Sequence, residues 1–262
     1  MTTDPPAAVD KLIAGSGNAF HARVARRLQN LGWSVQISPY YLDQSQGKPR
    51  EIDLVAERLF PLRDSFDRAT GYVCLRLFVE CKYITAPSVF WMADLDEEAA
   101  MASICARSPF KPGNSYTERH HYLEKPKQVA KLFASSTERS QENDPIYKGL
   151  SQSLSALVSM RGRRVAVKPR ESEHATPKHI IDLPVIACSS FESFYAVPFF
   201  DDRSPKRIKR NFRLEVNYAY MSSTDRIKDE YFLIDIVELE QLDAFSEAVC
   251  ATGKAAAYLA HS

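Results

Sequence analysis

Five cysteines, Cys74, Cys81, Cys105, Cys188 and Cys250, are spread over 262 residues, an odd number with no Cys-x-x-Cys spacing. This speaks against a disulfide framework or a structural zinc knuckle and points to free thiols in a reducing compartment. No stretch is apolar for the length of a bilayer, and the first ten residues lack a basic segment followed by an apolar run. A cytoplasmic protein without a membrane partner is therefore expected. Neither sign of charge dominates, because 34 lysines and arginines face 33 aspartates and glutamates, for a net charge of +1. Such a balance says little about partners, since nucleic-acid binding depends on where the cations lie. Missing too are a Gly-x-x-x-x-Gly-Lys phosphate loop, a Gly-x-Ser-x-Gly elbow, a His-Glu-x-x-His pair and any internal repeat.

What is present is ordinary in bulk, with 45% hydrophobic and 26% charged residues, enough for a sizeable core. Two segments stand out: Arg50-Glu51-Ile52-Asp53-Leu54-Val55-Ala56 and Leu77-Phe78-Val79-Glu80-Cys81-Lys82-Tyr83. Charged residues inside apolar, strand-like runs need a partner or a metal. Strand alternation puts Glu80 and Lys82 on one face and Cys81 on the other, and Asp53 joins the first face if its strand pairs alongside. Two convergent carboxylates make a hard-oxygen site for Mg²⁺ or Mn²⁺, and a nearby ammonium orients water or offsets negative charge. The alternative is a structural ion pair at a strand end.

The preceding chain strengthens the metal reading. Phe20, Val24, Leu28 and Leu31 recur at helical spacing after Ser16 or Asn18 as a cap, and Gly32 stops that helix before a strand over residues 33–37. Helix, glycine turn, strand, Asp strand, Glu-x-Lys strand resembles the core of the PD-(D/E)XK, or restriction-endonuclease-like, nuclease superfamily. The resemblance implies an α/β fold, a central mixed sheet flanked by helices with an extended C-terminal half. It also implies one domain over 1–262, with a core at about 16–190 and an extension at about 191–262.

By the same resemblance, Asp53 and Glu80 ligate metal, the Cys81 carbonyl completes the sphere while its side chain packs away from the site, and Lys82 positions the attacking water. Many members carry a glutamate on the first helix where this chain has His21, a poorer Mg²⁺ ligand. The implied activity is metal-dependent DNA cleavage in bacterial defence or DNA repair. A nuclease fold that no longer cleaves and serves as a nucleic-acid-binding or assembly subunit is the alternative.

Further candidates follow from residue type. Glu51, two residues from Asp53, is a secondary ligand candidate. Gln152 stands on an expected helix where some relatives reach the active site, although an exposed position is expected here. His120-His121, beside Glu118 and Glu124, reads as a surface pair. Two basic clusters suit a phosphate backbone: Arg161, Arg163, Arg164, Lys168 and Arg170, and Lys206, Arg207, Lys209, Arg210 and Arg213, the second beside Phe199, Phe200 and Phe212.

The rest of the chain reads as a charged connection over 58–71, a strand over 72–83 and a helix over 94–106. Helices are expected over 122–136, 145–160 and 242–259. Strands are expected over 163–168, 180–188, 191–200, 212–220 and 231–237.

Overall fold

A computed structural model describes residues 7–44, 47–63, 66–124, 127–135, 144–163, 177–201, 204–222 and 226–261. The N-terminal helices are α1 (Ala7–Gly15) and α2 (Asn18–Asn30), and α2 buries Phe20, Val24, Ala25 and Leu28 along one face. The stripe is what the 3.6-residue period demands of a helix laid on a sheet. Trp33 follows, buried, with its indole N–H donated to the Ser246 hydroxyl at 2.8 Å.

Strand β1 (Ser34–Ile37) leads into a small hairpin of β2 (Tyr40–Asp43) and β3 (Lys48–Glu51). Then come β4 (Leu54–Arg63) and β5 (Ala69–Lys82), paired antiparallel along most of their length. The segment expected as a charged connection is therefore largely strand. Its charges misled because Phe60 and Leu62 keep an inward alternation between them.

Next are β6 (Ser88–Asp94), α3 (Glu97–Ala106), the single turn α4 (Ser115–Glu118) and β7 (Gln128–Ser135). Residues 128–135 carry good helix formers, yet they pair with β6 and β11, and Val129 and Ala130 are buried between layers. Tertiary pairing overrides propensity here, so the helix expected over 122–136 is not formed.

Helix α5 (Pro145–Met160) starts cleanly, because Asp144 accepts from the Ile146 and Tyr147 amides and Pro145 fixes the first turn. The chain closes with β8 (Pro177–Cys188), β9 (Phe194–Pro198), β10 (Lys206–Arg207), β11 (Phe212–Met221), β12 (Ile227–Glu238) and α6 (Leu242–His261). Residues 136–143 and most of the strand expected over 163–168 lie outside the described residues.

The strands form a ten-stranded mixed sheet in the order β1-β4-β5-β8-β12-β11-β7-β6-β9-β10. Its first three strands are antiparallel, while β8 runs parallel to both β5 and β12. The protein is thus α/β, with helices on both faces of a large mixed sheet. One core holds α2 and α6 against residues such as Leu54, Leu75 and Leu77; the other holds α5 against Phe78, Ile186 and Ile234.

Close contact with α6 depends on Gly253, where an added Cβ would meet Phe60 Cζ at 2.6 Å and Leu75 Cδ1 at 2.8 Å. The C-terminal strands are split: β11 and β12 lie between β8 and β7, whereas β9 and β10 form the far edge, so the two ends of the chain share one sheet. Among the described residues no helix is long and apolar enough to cross a membrane.

Candidate metal centre

The site stands where β4 begins and β5 ends. Asp53 occupies a bend just before β4 rather than a strand position. Its main-chain carbonyl accepts from the Ser38 amide at 2.8 Å, which ties the bend to the end of β1. Oδ2 accepts the Cys81 backbone N–H at 2.7 Å and lies 3.3 Å from His21 Nε2. Helix α2 delivers His21 because its neighbour Phe20 is anchored in the core, which leaves the imidazole at the helix flank and one quarter exposed.

Alternation along β5 divides its side chains. Leu75, Leu77, Val79 and Cys81 belong to the α2 and α6 core, whereas Phe78 belongs to the α5 core with Glu80 and Lys82 on the same side. Glu80 is 1% exposed, and its Oε2 receives Lys82 Nζ at 2.7 Å. Oε1 is buried and accepts no hydrogen bond from the described residues. Burial pushes the Glu80 carboxyl up to about 7, with the Asp53 charge adding to the rise and the Lys82 ammonium and the Asp53 main chain opposing it.

Lys82 also donates to Gln152 Oε1 at 3.0 Å. Gln152 is therefore drawn into the site, not exposed as expected. The crossing is close because α5 has Gly149 there: an added Cβ would stand 3.1 Å from Lys82 Cε and 3.2 Å from Ile186 Cδ1. No spacing rule reveals this, since Gln152 and Lys82 are 70 residues apart.

Arg76, two turns of the alternation earlier on the same face, shows how this protein buries a charge for structure alone. Its Nε lies 2.7 Å from Asp182 Oδ1 and its guanidinium stacks 5.2 Å from the Phe78 ring centre. That pair is closed. Glu80 is left with a bare oxygen, which is what a cation would use.

Cys81 departs from expectation. Its thiol packs in the core, yet it also faces the site: His21, Asp53 and Cys81 each offer a ligand atom, all within 4.8 Å of one another. Burial, then the Asp53 and Glu80 charges, push the thiol well above its ordinary value. Glu51 is an exposed rim residue, its carboxyl lowered by the Ser38 and Tyr40 hydroxyls and by the charge of His21.

Asp53 and the bare Oε1 of Glu80 are the carboxylate oxygens that a hard divalent ion would use, with Lys82 beside Glu80 as a cation that does not compete as a ligand; among the described residues, the ligand atoms found within 4.8 Å of one another are those of His21, Asp53 and Cys81.

Other sequence candidates fall away. His120 and His121 are buried and stacked at 5.0 Å, not a surface pair. They lie in the turn after α4, where His121 Nε2 meets Asp235 Oδ2 at 3.1 Å and burial, first, lowers His120 well below its ordinary value. In the first basic cluster Arg161 is bound by Glu230 at 2.8 and 3.0 Å, and Arg164, Lys168 and Arg170 lie outside the described residues.

Arg213, from the second cluster, donates inward to the carbonyls of His121, Tyr122 and Glu124. Lys206, Arg207, Lys209 and Arg210 remain exposed. Gln241 holds their loop by donating to the Lys209 carbonyl at 3.1 Å and accepting from the Asn211 amide at 3.1 Å. No protein-family model, curated protein or solved structure matches the chain.

Proposed function

We propose that the protein is a metal-dependent endonuclease that hydrolyses DNA phosphodiester bonds at Asp53, Glu80 and Lys82, with a restriction-endonuclease-like core around them. The observation that carries this reading is Glu80: a buried carboxylate with one oxygen on Lys82 and the other without a hydrogen-bond partner among the described residues. The order α2, β1, β4, β5, with α5 leading into a parallel β8, supports the resemblance drawn from the sequence.

When bound, Mg²⁺ or Mn²⁺ supplies Lewis-acid polarisation of the phosphate and acidifies water. Asp53 and Glu80 hold that charge in place. Lys82, steadied by Gln152, presents its ammonium to the attacking water and the phosphate oxygens. His21, beside Asp53, stands ready to pass a proton at Nε2. Defence against foreign DNA or DNA repair is the setting the family analogy suggests.

The test is Mg²⁺- or Mn²⁺-dependent cleavage of duplex DNA. Asp53→Ala and Lys82→Ala are expected to abolish cleavage with the fold intact by circular dichroism, and full activity in both variants would contradict the assignment.

One observation favours a second reading, a site retired from catalysis in a DNA-binding or assembly subunit. Asp53 Oδ2 already accepts the Cys81 amide and lies 3.3 Å from His21 Nε2, and Lys82 is already paired. DNA binding with no cleavage under either metal is the result that reading requires.

A further inference from the structure

Two donors that are not oxygen stand beside Asp53: His21 on α2, and Cys81 between Glu80 and Lys82, whose thiol lies within 4.8 Å of the His21 and Asp53 ligand atoms. We propose that His21 Nε2, an Asp53 carboxylate oxygen and Cys81 Sγ form a binding site for a borderline transition ion of the Zn²⁺ class, sharing Asp53 with the hard-ion site. The inference rests on the proposed hydrolytic reading only for the consequence of that sharing.

The donors are the first support. All three ligand atoms lie within 4.8 Å of one another, and His21 Nε2 is 3.3 Å from Asp53 Oδ2. Zn²⁺ binds imidazole, carboxylate and thiolate at about 2.0–2.3 Å in a tetrahedron, so three such atoms close to this spacing need only small adjustments. Imidazole and thiolate favour Zn²⁺ strongly over Mg²⁺, which prefers six oxygens.

Access is the second support. His21 and Asp53 are 25% and 18% exposed, so an ion enters past them, while Cys81 closes the site from behind at 6% exposure. On binding, the Cys81 thiol gives its proton to water and the thiolate takes the metal; nothing is oxidised or reduced.

Placement is the third. Cys81 and Glu80 point to opposite faces of β5, so the thiol and the bare Glu80 oxygen cannot hold the same ion by strand alternation. Asp53, at the bend beyond the strand, is the residue common to both. An ion held by His21, Asp53 and Cys81 therefore withdraws Asp53 from the hard-ion site, and Zn²⁺ inhibits a reaction that Mg²⁺ supports.

Co²⁺ serves as the probe, because a cobalt–thiolate bond gives a near-ultraviolet charge-transfer band. Titration of the full chain with Co²⁺ is expected to develop that band, and Zn²⁺ to abolish it by displacement. Cys81→Ser is expected to lose the band, with Cys81→Ala as the variant that keeps apolar packing, and His21→Gln to weaken Co²⁺ at least about tenfold. Glu80→Gln is expected to retain the band.

No band in the intact protein, or one that survives both Cys81 variants, overturns the proposal. Mn²⁺ titration separates it from the hydrolytic reading. Mn²⁺ affinity that is unmoved by Glu80→Gln removes the hard-ion site while the cobalt band keeps this one. Mn²⁺ affinity that depends on Glu80, with no cobalt band, does the reverse.

Discussion

Burying an ionised carboxylate costs several kcal/mol unless its charge is met, and Oε1 of Glu80 has no hydrogen-bond partner among the described residues. The consequence is a carboxyl raised from 4.5 to about 7. With no metal bound, the folded protein holds this proton more tightly than the unfolded chain. The resulting stability is fully present below pH 4.5 and is lost as pH rises through about 7. Urea melts of metal-free protein should therefore show stability falling across that window, with Glu80→Gln removing the fall. A wild-type profile no steeper than that of the variant would contradict the placement of Glu80. A bound divalent ion reverses the preference, since it competes with the proton for the same oxygens. The sequence pointed to Asp53, Glu80, Lys82 and His21 because charge inside apolar runs is rare and local. It gave no sign that the Cys81 thiol joins them, because the bend at Asp53 breaks the regular strand geometry on which alternation depends.

Among the elements, α5 and β5 make the site together, and their separation is set by a residue with no side chain. Gly149 lies over Lys82 and Ile186 at distances an added methyl would crowd. Gly149→Ala should gain up to about 1 kcal/mol in helix propensity and lose a similar amount in crowding. Stability should change little, while under the proposed function displacement of Lys82 from Gln152 lowers the cleavage rate on the order of tenfold to a hundredfold. Thermal melts and single-turnover cleavage check both parts, and an unchanged rate would show that Lys82 does not need this crossing. Elements with long regular patterns, α2, α5, β8 and α6, were legible in the sequence. Strand β7 was not, because Ala, Lys and Leu suit a helix until β6 and β11 offer a pairing edge. Gln152 was misread for the same kind of reason: its partner is set by a helix crossing that leaves no local pattern.

Across the whole molecule, the sheet carries the site toward the basic loop. Lys82 is in register with Cys188, and Cys188 with Glu238, so the ends of β5, β8 and β12 form one edge. Glu238 accepts the Phe191 amide and receives Gln241, and Gln241 in turn holds the loop of Lys206, Arg207, Lys209 and Arg210. Three strand spacings of about 4.8 Å place Lys209 and Arg210, at the entry to β11, roughly 14 Å from Lys82, about four base pairs along a duplex axis. Under the proposed function the loop holds phosphates beside the cleaved one. The double variant Lys209→Glu with Arg210→Glu should weaken duplex binding on the order of tenfold and lower the salt slope by about two, measured by fluorescence anisotropy. The same loss from Lys254→Glu, exposed on α6, would show a general charge effect instead. The bare oxygen of Glu80 as a ligand for a hard divalent ion is the centre of the proposed chemistry. Mn²⁺ titrated into the protein and into Glu80→Gln at pH 8, followed by electron paramagnetic resonance, tests it. One site is expected in the intact protein, lost or weakened at least about tenfold in the variant; equal Mn²⁺ affinity in the two proteins would contradict it.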